Sequence, residues 1–177
     1  MPAKIFNSAY ELKDYINTLD PSQIRPLYTT SGGFDPMHVG HLRCIQGTVK
    51  AAKVNLCEEE PIGLVAIIVN GDGFLHRKKG YSFMPHEERM EIIAGIEGVD
   101  FVVGWDDGSQ FVTGAINVLQ PSYFTKGGDR NTSSNVPEFD LCEEIGCKVI
   151  FNVGGEKIQS SSELVESAKK QKTRDGT

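Results

Sequence analysis

The chain has 177 residues, 39% hydrophobic and 24% charged, which suits one soluble domain with a single core and a small extension. Its net charge of −6 excludes nucleic acid as a general partner, because polyanion binding draws on Lys and Arg, and leaves only a small anion in a local basic pocket. The opening "MPAKIFNSAYELKDY" is too polar for a signal peptide, and the longest apolar run, "GLVAIIV", is too short to span a bilayer. A cytoplasmic protein without membrane association is expected. Cys44, Cys57, Cys142 and Cys147 form no CxxC pair and read as reduced thiols, so the "NTS" sequon at Asn131 carries no meaning there.

In chain order, residues 7–19 read as an amphipathic helix with an Asn or Ser cap. "DPSQIRP" breaks it, and "LYTTS" (Leu27 to Ser31) reads as a strand running into Gly32-Gly33. A helix is predicted over Val39–Lys53, its stripe being His41, Ile45, Thr48 and Ala52. "IGLVAIIV" (Ile62 to Val69) suits a parallel strand covered on both faces, ending in an "NGDG" turn. "HRKKGYSF" reads as a basic loop, and "MPHEERMEIIAGIEG" as a helix with Pro85 in its first turn. Then come a strand at Val99–Val103, a helix in "SQFVTGAINVL", a strand at Ser122–Thr125 and a helix in "EFDLCEEIG". A fifth strand at Lys148–Phe151 and the helix "SSSELVESAKKQ" follow, with 172–177 as a frayed tail.

Strands alternating with helices predict an α/β fold: a Rossmann-like, mostly parallel five-stranded sheet with helices on both faces. The domain is expected over 27–171, with 1–26 as an N-terminal helical extension. Such sheets bind ligands at the carboxyl ends of their strands. Glycine-rich turns at Gly32-Gly33, Gly71-Asp72-Gly73 and Gly127-Gly128 would share that rim.

"GGFDPMHVGH" is the most informative stretch. Gly32-Gly33 between a strand and a helix lets backbone N–H groups approach an anion, and the helix N-terminus adds positive potential. His38 and His41, three apart, share a helix face and can donate to one phosphate. His38, His41 and Cys44 also share a metal-like spacing, but no fourth ligand follows. A pair of satisfied core histidines is the plainer alternative. Arg89 falls on the stripe of Ile92, Ile93 and Ile96, and a core-facing Arg needs an anionic partner, either a neighbouring Glu or a ligand. His86-Glu87 starts an HExxH pattern, but Met90 stands where the second His belongs. Ser160 and Glu163 fit a capping box for the last helix.

The same stretch resembles the GxFDxxHxGH signature of the cytidylyltransferase-like nucleotidyltransferases. "FTKGGD" and "PHEERMEIIAGIEGVDFVV" resemble the nucleotidyltransferase domain of ADP-heptose synthase, and the likeness covers about Leu27 to Lys169. The resemblance implies transfer of CMP or AMP from CTP or ATP to a sugar phosphate or polyol phosphate, with release of pyrophosphate. It implies catalytic roles for His38, His41, Lys78 or Lys79, and Arg89. It implies a nucleotide pocket of Gly32, Gly33, Phe34, Asp35, Gly40, Lys126, Gly127, Gly128, Asp129, Ser160, Ser161 and Ser162. Mg2+ would arrive with the triphosphate, since the sequence holds no all-protein metal cage. The partners would then be a nucleotide and a phosphorylated acceptor, with a homodimer left open. Glycerol-3-phosphate cytidylyltransferases carry an RTxGIST-like segment where this chain has "GGEKIQSSS", which leaves the base undecided. Two further readings stand beside this one. The first is an adenylyltransferase for a cofactor precursor of the phosphopantetheine or nicotinamide mononucleotide type, against which the KGGD segment argues. The second is a nucleotide-binding module without turnover, against which the full set of phosphate-contacting residue types argues.

Overall fold

The apolar run Leu64–Val69 leaves no polar side chain for solvent on either face, so it belongs inside a sheet. The computed structural model describes residues 1–54, 62–128 and 138–174, and places this run at the sheet centre. There β3 (Leu64–Asn70) pairs in parallel with β2 (Leu27–Gly32) on one side and β4 (Phe101–Trp105) on the other. Among the described residues the sheet has six strands in the order β1-β4-β3-β2-β5-β6, with β1 at Lys4–Phe6, β5 at Tyr123–Gly127 and β6 at Lys148–Val153. Every pairing is parallel.

Helices cover both faces. Side chains alternate along β3, so Ala66 and Ile68 enter one core and Val65, Ile67 and Val69 the other. The first core receives α1 (Ala9–Asn17), α5 (Thr113–Leu119) and α6 (Phe139–Ile145) through Leu12, Ile116 and Cys142. The second receives α2 (Val39–Lys53) and α4 (His86–Ala94) through Ile45, Ala52, Met90 and Ile93. The α/β architecture is therefore as expected, with one strand more than the five read from the sequence.

The extra strand corrects the reading of 1–26 as a helical extension. Lys4, Ile5 and Phe6 pair with Phe101, Val102 and Val103, which makes the segment the edge of the sheet. Three residues, two of them exposed, are too short to show an alternating pattern. What anchors them is aromatic: Phe6 lies 5.4 Å from Tyr15 of α1, and both rings meet Phe101 edge-on at about 6 Å. A second correction concerns "HRKKGYSF". Residues Asp72–Lys79 form a helix, α3, whose acid stands in the first turn and whose basic residues fill the last before Gly80 closes it at φ 84°. The final helix, α7 (Ser161–Arg174), runs beyond residue 171, and 175–177 fall outside the described residues.

β2 is flanked by β3 on one side and β5 on the other, so the chain reverses its direction of winding there. The crevice above that reversal is where a ligand site forms in this architecture. Because the Phe6–Tyr15–Phe101 cluster holds the edge strand, Phe101→Ala should cost about 3–5 kcal/mol, read as a lower urea midpoint. Amide exchange in residues 4–6 should rise more than in β3.

Candidate active site

A cavity of about 460 Å3 opens at the reversal, a size suited to a small-molecule ligand. Its walls are the carboxyl ends of β2 and β5, the first turn of α2, the last turn of α3, and residues 153–162 leading into α7. It gathers Gly33, Phe34, Asp35, His38, Gly40, His41, Lys78, Lys79, Lys126, Gly127, Gly128, Ser160, Ser161 and Ser162. Gly32 does not line it; a Cβ there would sit 2.9 Å from the Phe34 ring, so this glycine makes room for an aromatic. Asp129 lies outside the described residues.

The two histidines cap the helix that carries them. His38 is the N-cap of α2, and its Nδ1 accepts from the N–H groups of Gly40 (3.0 Å) and His41 (3.4 Å). In return, His41 Nδ1 accepts from His38 N–H at 3.2 Å. An accepting Nδ1 puts the ring proton on Nε2 in the neutral imidazole, so each ring keeps an Nε2–H to offer. The rings stack at 3.8 Å between centroids, and at Gly40 a Cβ would press to 2.9 Å of His38. Burial, helped by His38 and Lys79, pushes the His41 pKa down to about 4. Burial, and then Lys157, lowers that of His38. The pair therefore enters neutral solution as two fixed, uncharged donors.

Arg89 and Asp35 do different work from that expected. Arg89 is fully buried behind the cavity wall and does not line it. Its Nε donates to Met84 O (3.0 Å), its NH1 to Gly33 O (2.8 Å) and Asn70 O (2.6 Å), and its NH2 to Asp72 (2.7 Å). In this structure four of the five guanidinium N–H groups donate to protein groups. The stripe correctly marked Arg89 as core-facing, but a sequence cannot show that backbone carbonyls meet it there. Asp35 touches the cavity, yet its carboxylate is 1% exposed and accepts from Phe83 N–H and Met84 N–H, both at 2.6 Å.

The lysines fall into two groups. Lys79 donates to Asp35 O at 2.7 Å and stands 3.3 Å from its carboxylate. Lys126 lies 4.0 Å from the Glu138 carboxylate. Lys78 is exposed over the Phe74 ring, so of the two neighbours it is the one whose ammonium can swing. The run 153–162 supplies cavity residues the sequence reading did not select, Lys157 and Gln159 among them. Their only signal was proximity to the serines. The Ser161 hydroxyl donates to Pro36 O at 2.7 Å, tying α7 to the loop before α2. Ser160 is the residue before α7, its carbonyl accepting from Leu164 N–H, but no Ser160–Glu163 side-chain box forms among the described residues.

Among the described residues, no three His, Cys, Asp or Glu side chains converge on a point that could hold a metal ion. Of the two carboxylates lining the cavity among the described residues, Asp35 is committed to two N–H groups and a lysine, and Glu156 is exposed. Among the described residues, then, no set of protein groups is assembled for a resident Mg2+.

The comparisons agree with this geometry. A family model described as cytidylyltransferase-like matches residues 29–171. The bifunctional protein HldE of Syntrophotalea carbinolica is 33% identical over 122 residues, 68% of this chain and 22% of that protein. HldE of Geobacter sulfurreducens is 28% identical over 138 residues, 77% of this chain and 24% of that protein. The chain thus spans about a quarter of the length of these curated relatives. Two solved structures share the fold. A lipopolysaccharide core biosynthesis protein of Thermoplasma volcanium has a TM-score of 0.57 at 15% identity, covering 75% of this chain and 98% of that one. Pantoate-beta-alanine ligase of Francisella tularensis has a TM-score of 0.59 at 14% identity, covering 95% and 77%. No helix among the described residues is long and apolar enough to cross a membrane.

Two tests follow the geometry. Arg89→Ala strands three carbonyls and should cost about 3–5 kcal/mol in chemical denaturation; a residue that met only ligand phosphate would leave the midpoint unmoved. For His41, the folded pKa of about 4 lies below the usual 6.5. The unfolded chain then binds more protons between those values. Its contribution is full above pH 6.5 and is lost as pH falls toward 4. His41→Gln should flatten that part of a midpoint-against-pH curve.

Proposed function

Because the chain belongs to the cytidylyltransferase-like family of nucleotidyltransferases, we propose that it transfers CMP or AMP from CTP or ATP to a sugar phosphate or polyol phosphate. The observation that carries the reading is the reciprocal histidine cap. It aims two neutral Nε2–H donors into a cavity walled by glycine turns and lysines. An oxygen of the acceptor phosphate attacks the α-phosphorus in line. The new P–O bond forms as the bond from the α-phosphorus to the bridging oxygen breaks, and pyrophosphate leaves with that electron pair.

His38 and His41 donate to the oxygens on which charge builds, with no reorganisation at the moment of reaction. Gly33, Gly127 and Gly128 let the backbone approach the phosphates, and Lys78 screens the repulsion between triphosphate and acceptor. Asp35, Lys79 and Arg89 hold these groups in place. We assign Mg2+ to the incoming nucleotide rather than to the protein. The resemblance of the KGGD segment to that of ADP-heptose synthase favours a phosphorylated sugar as acceptor.

The test supplies CTP, ATP, GTP and UTP separately with Mg2+ and a panel of phosphorylated sugars and polyols, and follows pyrophosphate release. One pairing should turn over, and His41→Ala should slow it by about 10²–10³-fold, or 3–4 kcal/mol. Silence from every pairing, with nucleotide binding intact, would leave a binding module instead. Near-normal turnover in the variant would remove the role given to His41.

A further inference from the structure

Lysines reach the cavity from two walls, and they are not equivalent. Lys79 and Lys126 stand beside carboxylates, while Lys78 lies over an aromatic ring on the α3 side. Lys157 is exposed on the opposite wall, the run between β6 and α7, and no carboxylate pairs with it among the described residues.

The backbone delivers Lys157 rather than leaving it on a loose surface. Asn152, Gly154 and Gly155 adopt φ of 55°, 83° and 88°, a conformation that favours glycine, and they turn the chain sharply as it leaves β6. At Gly154 a Cβ would come within 2.6 Å of the Arg43 carbonyl, so this turn lies directly against the α2 backbone. The other end of the run is fixed by the hydrogen bond from Ser161 to Pro36. Between those anchors the Lys157 stem crosses the KGGD turn, its Cβ and Cγ 3.4 and 3.8 Å from where a Gly128 side chain would begin. Its charge is felt at His38 on the facing wall.

We propose that Lys157 is a triphosphate-binding residue that grips the polyphosphate from the β6 side, opposite Lys78. An anion between the two walls then meets neutral histidine donors at its centre and a cation on either flank. Gly128 lies beneath the lysine stem in a left-handed conformation, φ 64°, that favours glycine. The proposal rests on the nucleotidyl-transfer reading, but pyrophosphate, which carries no base, probes it separately.

The experiment measures binding of pyrophosphate, and of each nucleoside triphosphate with Mg2+, by calorimetry for the unmodified chain, Lys157→Met and Lys157→Arg. Lys157→Met should weaken pyrophosphate about tenfold, as expected for a lost charged hydrogen bond, and Lys157→Arg should restore it. The His38 ring, which stacks on the neutral His41 ring and feels the charge of Lys157, should titrate higher by NMR in Lys157→Met and not in Lys157→Arg. Equal urea midpoints show that the fold is unaffected. Unchanged pyrophosphate affinity in Lys157→Met would overturn the proposal and leave nucleotidyl transfer standing. Lysine-dependent pyrophosphate binding with no turnover of any nucleotide would sink the transfer reading and keep the proposal. No binding by the unmodified chain would overturn both.

Discussion

One buried guanidinium organises the carboxyl rim of the sheet. Arg89 draws the ends of β2 and β3, the start of α3 and the residue before Pro85 to a single point through Gly33, Asn70, Asp72 and Met84. Asp35 acts on the same loop from the cavity side, taking the N–H groups of Phe83 and Met84. Met84 is thus held at both its N–H and its carbonyl, by opposite charges that reach each other through the peptide. Burying either charge alone would cost several kcal/mol, and the bonds each makes offset that cost. The cavity walls inherit their spacing from this tie, since β2, α3 and the loop into α4 cannot shift independently.

Glycines bring the backbone to the wall of the cavity. Gly33, Gly127, Gly128 and Gly155 line it, and Gly128 and Gly155 hold left-handed φ values. A wall of this kind offers N–H groups at close range and carries little net charge of its own. Charge is added sparingly: Lys79 and Lys126 are matched by acids, while Lys78 and Lys157 stay exposed at opposite edges. The protein as a whole is acidic, with a net charge of −6, so attraction for a phosphate depends on local clusters of cations such as this one.

The parts of this arrangement that the sequence disclosed are those that depend on local pattern. The β-branched run at β3, the span of α2 and the core-facing placement of Arg89 rest on periodicity and stand in the structure, whereas Ile92 of the Arg89 stripe is 46% exposed and Met90 is buried instead. Some of the parts that escaped depend on partners distant in the chain, and others on local signals outside the usual set. β1 is a strand only because β4 offers an open edge, and three residues cannot advertise that. α3 was hidden by "NGDG", which reads as a turn, although Asp72 at its start and Gly80 past its end are ordinary helix signals. The reciprocal cap went unseen because histidine stands outside the usual Ser, Thr, Asp and Asn set. Three of the four partners of Arg89 are backbone carbonyls and the fourth is the Asp72 carboxylate, all from segments to which sequence spacing gives no access.

The reciprocal cap also ties chemistry to architecture at the level of a single lone pair. The Nδ1 atoms that hold the first turn of α2 are the atoms an added proton would take. A protonated Nδ1 cannot accept, so the proton that converts a neutral donor ring into a cation also unfastens the helix start beneath it. Loss of function in acid and fraying of α2 are then a single event, and a second phase of inactivation is not required. A serine or aspartate cap would have kept the two separate.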